Sequence, residues 1–187
     1  MNKVDHPIFE QSIRFIKSEL GKTGLSPLQN EVLYRLIHTS GDFELRNFLR
    51  FSPEACEIGL EALSAGAPIL TDTTMAAVAV SSMAARTLKS EVINAMEWLS
   101  DYVPNGQTKT SFGLSKAWKN LSKKSKGYRS PIVLIGSSPT ALNSLLDICR
   151  ETEVKPSLII GMPVGFIGVY ESKRRLSLTS IPQIRIE

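Results

Sequence analysis

The stretch PIVLIGSSPTALNSLLDI, residues 131–148, decides the fold. Ile132 to Ile135 are four aliphatic residues with no polar alternation, so a strand built from them is buried on both faces. Gly136 and Ser137 interrupt the run. Ser138-Pro139 then reads as a helix start, with a hydroxyl N-cap and a proline at the first helical position, where its missing N–H costs nothing. Ala141, Leu142, Leu145, Leu146 and Ile148 follow on one helical face. A doubly buried strand running straight into an amphipathic helix is half of a parallel βαβ unit.

The same alternation extends in both directions. Downstream, Ser157 to Gly161 is a second buried strand, Tyr170 to Leu178 a helix and Gln183 to Ile186 a last strand. Upstream, Ala67 to Asp72 predicts a strand, Met75 to Ala85 a helix, Glu91 to Met96 a strand and Thr110 to Lys124 a helix. Nearer the N-terminus, Ile8, Ile13, Ile16 and Leu20 suit an amphipathic helix that ends at Gly21. Ser26-Pro27 starts another that ends at Gly41, and Ser52-Pro53-Glu54 a third that ends at Gly66. The expectation is a single α/β domain over residues 1–187, three-layered α/β/α with a mostly parallel sheet.

Composition agrees with this and narrows the function classes. A 187-residue chain that is 42% hydrophobic and 21% charged can bury one sizeable core. The longest apolar run, Ser157 to Tyr170, is short and broken by glycine and proline, which argues against a membrane span. The first residues lack the apolar core of a secretion signal, so a cytoplasmic location is expected. Cys56 and Cys149 have neither disulfide-framework nor metal-site spacing and read as buried thiols. From Tyr102 to Leu146 there is no acidic residue, while Lys109, Lys116, Lys119, Lys123, Lys124, Lys126 and Arg129 supply seven positive charges. Such a field suits an anionic partner. Only Phe112, Trp118 and Tyr128 accompany it, which is sparse for nucleic-acid stacking, and Lys119 to Lys126 also reads simply as a solvated helix face.

Ligands of a parallel sheet bind at the strand-to-helix loops. Three loops qualify: Asp72 to Met75; Gly136 to Thr140, whose hydroxyls and backbone N–H groups at a helix N-terminus form an anion seat; and Gly161 to Phe166. The last sets Met162, Val164 and Phe166 between glycines, and either walls a large flat ligand or packs beneath a helix. No glycine-rich nucleotide loop, nucleophile elbow or histidine cluster is present. His38 stands by itself at a helix end beside Thr39, Ser40, Gly41 and Asp42. It is either a lone proton donor, imidazole being suited to that near neutrality, or a structural side chain.

Ile8-x-x-x-Ser12, Ile37-His38-x-x-Gly41-Asp42, Phe51-Ser52-Pro53, Gly66-Ala67-Pro68-Ile69 with Asp72-x-x-Met75, Pro139-Thr140-Ala141-Leu142 and GMPVGFIGVYESK (161–173) together resemble the precorrin-8X methylmutase family, nearly end to end. The resemblance implies a flavodoxin-like fold and a homodimer with active sites at the subunit interface. It implies migration of a methyl group between neighbouring carbons of a corrinoid macrocycle, precorrin-8X or its cobalt form, in cobalamin biosynthesis. No cofactor, metal, nucleic acid or membrane is called for. By this likeness His38 is the proton donor and acceptor and Ser12 contacts the substrate. Thr39, Ser40, Asp72, Lys109, Ser137, Ser138, Thr140, Met162, Val164 and Phe166 are the further substrate-binding positions expected. Three departures stand out. Lys109 occupies the place of an arginine and loses its bidentate fork; Ser137-Ser138 replaces Asn-Ala; and the sequence ends at Glu187 where relatives continue into a glycine-rich tail. The first and last of these motivate an alternative, a non-catalytic tetrapyrrole-binding or carrier protein with the same fold.

Overall fold

A capping side chain followed by proline starts three helices. The computed structural model describes residues 6–124 and 130–187. Within it, His6 accepts the Ile8 N–H ahead of Pro7, Ser26 that of Gln29 ahead of Pro27, and Ser138 that of Ala141 ahead of Pro139. Of the basic stretch, Lys126 and Arg129 lie outside the described residues, as does Tyr128.

The described residues up to Leu49 form one compact unit. Its helices are α1 (Pro7–Leu20), α2 (Pro27–Ser40) and the short α3 (Leu45–Phe48). α1 packs on α2, burying Ile16 and Leu20 from the first helix and Leu33, Tyr34 and Ile37 from the second. Lys17 bridges the pair, bonding Glu31 at 3.1 Å and lying 4.9 Å from the centre of the Tyr34 ring. Gly41 closes α2 in the left-handed conformation (φ 70°), its N–H returning to Ile37 O.

The described residues from Arg50 onward form the second unit. In chain order it holds β1 (Leu49–Phe51, entered from the first unit), α4 (Ala55–Ser64), β2 (Ile69–Thr71), α5 (Thr74–Arg86), β3 (Val92–Asn94), a 3-10 turn (Ala95–Trp98), α6 (Lys109–Lys124), β4 (Ile132–Ile135), α7 (Pro139–Glu151), β5 (Leu158–Gly161), α8 (Val169–Ser177) and β6 (Gln183–Ile186). The sheet order is β1-β6-β5-β4-β2-β3, and β3-β2, β2-β4, β4-β5 and β5-β6 all pair in parallel. Leu70, Val133 and Ile159 stand in register across the centre and are fully buried. Past them Gln183 is also buried, its amide donating to Leu176 O and Ile181 O so that no donor is left dry.

Without β1, this is the flavodoxin-like order, with its direction reversing between β2 and β4. Right-handed crossovers then put α5 on one face and α6, α7 and α8 on the other. The neighbours agree: α6 lies beside α7 and α7 beside α8, while α4 rests on β4, β5 and β6. The parallel α/β architecture expected from the sequence is therefore present. Two local readings are corrected. Ser52 does not cap α4, because its hydroxyl accepts the Gln183 N–H at 2.9 Å; Glu54 occupies the cap position in a left-handed conformation instead. The strand read over Glu91 to Met96 shrinks to Val92–Asn94, because Asn94 Oδ1 accepts the Met96 N–H and turns the chain. Among the described residues no helix is long and apolar enough to cross a membrane. Cys56 and Cys149 are buried, and burial pushes the Cys149 thiol up to about 11.

α6 approaches the 3-10 turn so closely that a Cβ at Gly113 would lie 2.4 Å from the Ala95 carbonyl oxygen. Gly113→Ala is therefore expected to lower unfolding free energy by about 1–3 kcal/mol through overpacking, despite the ~1 kcal/mol that alanine gains over glycine within a helix. Urea denaturation reads the outcome. An unchanged or raised midpoint would contradict this packing.

Candidate active site

In the helical unit, burial of Leu33, Tyr34 and Ile37 fixes which way α2 faces, and His38 follows them on the exposed side of the last turn. Its ring meets Phe9 edge-on at 4.7 Å between centroids and 82° between planes, and Arg35 covers the Phe9 face at 4.7 Å. Phe9 is thus held between a guanidinium and an imidazole. His38 lines an open cavity of about 380 Å³ with Ser12, Phe15, Ile16, Ile37 and Gly41. Among the described residues neither ring nitrogen of His38 has a hydrogen-bond partner, so both are open to a ligand. Ser12 Oγ donates to Ile8 O at 3.1 Å and keeps its lone pairs. Thr39 and Ser40 bond back to their own helix instead, donating to Arg35 O and Leu36 O, and Ser40 also accepts the Asp42 N–H. Of these positions the structure brings Ser12 and His38 into one cavity and leaves Thr39 and Ser40 bonded to their own helix.

In the sheet unit, the reversal between β2 and β4 sets the loop at Asp72 beside the loop at Ser137. Asp72 is fully buried. Its Oδ2 accepts the Ser137 N–H at 2.9 Å and the Ser138 N–H at 3.0 Å, and the Thr73 hydroxyl lies 3.4 Å from Oδ1. The N–H groups that looked free at the start of α7 are therefore occupied by the protein's own carboxylate. Asp72 holds the loop from beneath and has no exposed surface.

Four hydroxyls close a ring above it. Thr108 and Thr140 are 2.7 Å apart, Thr140 and Ser138 2.9 Å, Ser138 and Thr110 2.7 Å, Thr110 and Thr108 3.1 Å. Each hydroxyl has one proton, so a ring in which each donates to the next spends all four internally. Ser138 Oγ and Thr108 Oγ1 also accept the N–H groups of Ala141 and Ser111. Ser138 is thereby a buried junction, whereas Thr140, Ser137 and Lys109 retain exposed atoms. Lys109 opens α6 at its positive end, where the helix dipole gives a cation no benefit.

The loop after β5 does not pack beneath a helix. Met162 is half-buried, its N–H donating to Ile135 O at 2.9 Å, and Pro163 is buried, but Val164, Phe166 and Ile167 face solvent. Phe166 lines a cavity of about 550 Å³ with Tyr170, Lys173, Arg174 and Arg185. These last four, with Thr108 and Thr110, are not among the site residues expected from the sequence. A signal was available: Tyr170, Lys173, Arg174 and Ser177 recur at helical spacing just past the apolar loop, on one face of α8.

The family profile described as precorrin-8X methylmutase matches residues 7–187. The cobalt-precorrin-8 methylmutase of Synechocystis sp. is 32% identical over 201 residues, covering 100% of this chain and 89% of that protein. The precorrin-8X methylmutase of Pseudomonas aeruginosa is 34% identical over 175 residues, covering 92% and 81%. Among solved structures, the precorrin-8X methyl mutase of Thermus thermophilus superposes with a TM-score of 0.81 at 35% identity, covering 96% of this chain and 85% of that one.

Asp72 is open to a direct test. Asp72→Ala leaves two backbone donors without an acceptor, one of them in a buried setting, and is expected to cost about 2–4 kcal/mol of folding stability. Asp72→Asn, which keeps one acceptor oxygen, is expected to cost less. Equal stability of all three proteins in chemical denaturation would mean that the loop does not depend on this carboxylate.

Proposed function

The chain belongs to the precorrin-8X methylmutase family, and from that premise we propose that it moves a methyl group within precorrin-8X or its cobalt form, with His38 lending a proton to the macrocycle and recovering it. The family's members are isomerases of cobalamin biosynthesis, and the chain matches them over its length. The observation that carries the role of His38 is its setting: an imidazole with both nitrogens open, steadied by the edge contact with Phe9, at a cavity that also takes Ser12.

The chemistry asks for little more. The migrating methyl is already on the substrate, so no donor enters and nothing is oxidised or reduced. Protonation at one ring position draws electron density toward it and lowers the barrier for the neighbouring carbon–methyl bond to break as the new one forms. The proton then returns to the imidazole, and the balance is an isomer of equal mass. A single positioned acid-base group suffices for this. Ser12 has lone pairs to hold a ligand donor beside it.

A homodimer in the cytoplasm completes the proposal. α5 offers support, since Met75 and Val78 are exposed on a helix with no charge before Arg86. Apolar surface of that kind is what a second copy covers. Sedimentation of the purified protein is expected to give a dimer at micromolar concentration. A fully active monomer would contradict it.

His38→Ala is expected to fold normally, because the side chain is exposed, and to bind the macrocycle. Its turnover is expected to fall by about 10²–10⁴, the usual contribution of a positioned acid-base group. Single-turnover absorption measurements beside a thermal melt separate the two effects. A variant that melts early yet turns over at the native rate per folded molecule would assign His38 a structural role only.

A further inference from the structure

α8 carries three consecutive cations, Lys173, Arg174 and Arg175, and the fold uses one of them. Arg175 is paired with Asp147 and donates to Asn143 at 2.8 Å, both on α7. Lys173 and Arg174 instead line the 550 Å³ cavity, together with Arg185 of β6. Glu187, the acidic residue lining that cavity, is already bonded by Arg50 and Arg185, each at 3.0 Å. Among the described residues neither the Lys173 nor the Arg174 side chain has an anionic partner or a hydrogen bond. Lys173 is half-buried, and burial pushes its ammonium below the ordinary lysine range. A partly desolvated cation without a counter-charge loses hydration and gains nothing in return, unless an anion arrives from outside. Arg185 is ion-paired with Glu187, but its Nε is buried and unbonded while its two terminal nitrogens serve Gln183 and Glu187.

The same cavity also has aromatic lining. The Phe166 and Tyr170 rings are exposed along it, and Gly165, at φ 139°, gives the loop a backbone conformation that side chains rarely adopt. Aromatic rings beside the unpaired Lys173 and Arg174 match a ligand with a flat conjugated face and carboxylates at its edge. A compact inorganic anion would leave the aromatic rings unused. Meanwhile the Ser137 and Ser138 N–H groups that lead into α7 are taken by Asp72.

We propose that Lys173 and Arg174, with Arg185 behind them, form the subsite that recognises peripheral carboxylates of the substrate. This deepens the reading of the substrate as a polycarboxylate corrinoid and rests on it. The test is a titration of the full chain with hydrogenobyrinate, the cobalt-free product of the proposed reaction, and with an analogue whose peripheral carboxylates are all amides, both followed by absorption. Lys173→Met is expected to weaken hydrogenobyrinate binding by about 10- to 100-fold, as loss of a hydrogen bond to a charged group does, with KM rising by a similar factor. Arg174→Met is expected to lose less, and Lys173→Arg to restore most of the affinity. The amide analogue is expected to bind the native protein and Lys173→Met alike. Native affinity for hydrogenobyrinate in both methionine variants would overturn the subsite while leaving the isomerase reading intact. So would an equal loss for the acid and the amide, which marks a packing role. A native protein that neither binds nor converts the corrinoid would overturn the isomerase reading itself.

Discussion

Asp72 is a carboxylate sealed inside the sheet unit, and the loop that opens α7 is wrapped around it. An isolated buried carboxylate is costly, and here the compensation comes from backbone dipoles. Two N–H groups from one helix start point at Oδ2, and the residue itself stands just ahead of Thr73, the N-cap of α5. Two positive helix ends thus share one negative charge. The parallel sheet makes this possible, because its order reverses between β2 and β4 and leaves their loops adjacent. A place where a ligand anion commonly sits is filled by the protein.

That internal use of the seat shapes what is left for a substrate. The hydroxyl ring of Thr108, Thr110, Ser138 and Thr140 joins the starts of α6 and α7 but keeps its protons to itself. What remains outward-facing in the sheet unit is Lys109, Thr140, the apolar loop through Phe166, and the cations of α8. In the helical unit it is His38 beside Ser12. The chemistry divides accordingly: exposed aromatic rings and unpaired cations suit holding a large conjugated polyacid, and a free imidazole suits moving one proton.

Much of this was legible. Ile132 to Ile135 and Ser157 to Gly161 declare buried strands because nothing polar interrupts them, and Ser26-Pro27 and Ser138-Pro139 declare helix starts because capping is local. Ser52-Pro53 carries the same local signal and misleads, since its hydroxyl is claimed by Gln183, 131 residues away. β1 and α3 were missed because three or four residues hold no period. Asp72 was marked as a site residue from its place after a strand, but burial beneath a neighbouring loop is a tertiary fact. The loop through Phe166 was open to two readings, and only solvent exposure decides between them. For His38 the residues alone left two roles open, and the family likeness is what favoured one of them.

The central claim is that this chain isomerises a corrinoid without any added reactant. Purified protein mixed with precorrin-8X, with no methyl donor or reductant present, tests it most directly when absorption and product mass are followed together. The account predicts a shift to the corrin-type spectrum with the mass of the macrocycle unchanged, continuing over many turnovers. A macrocycle that binds to the protein and keeps its original spectrum indefinitely would contradict it.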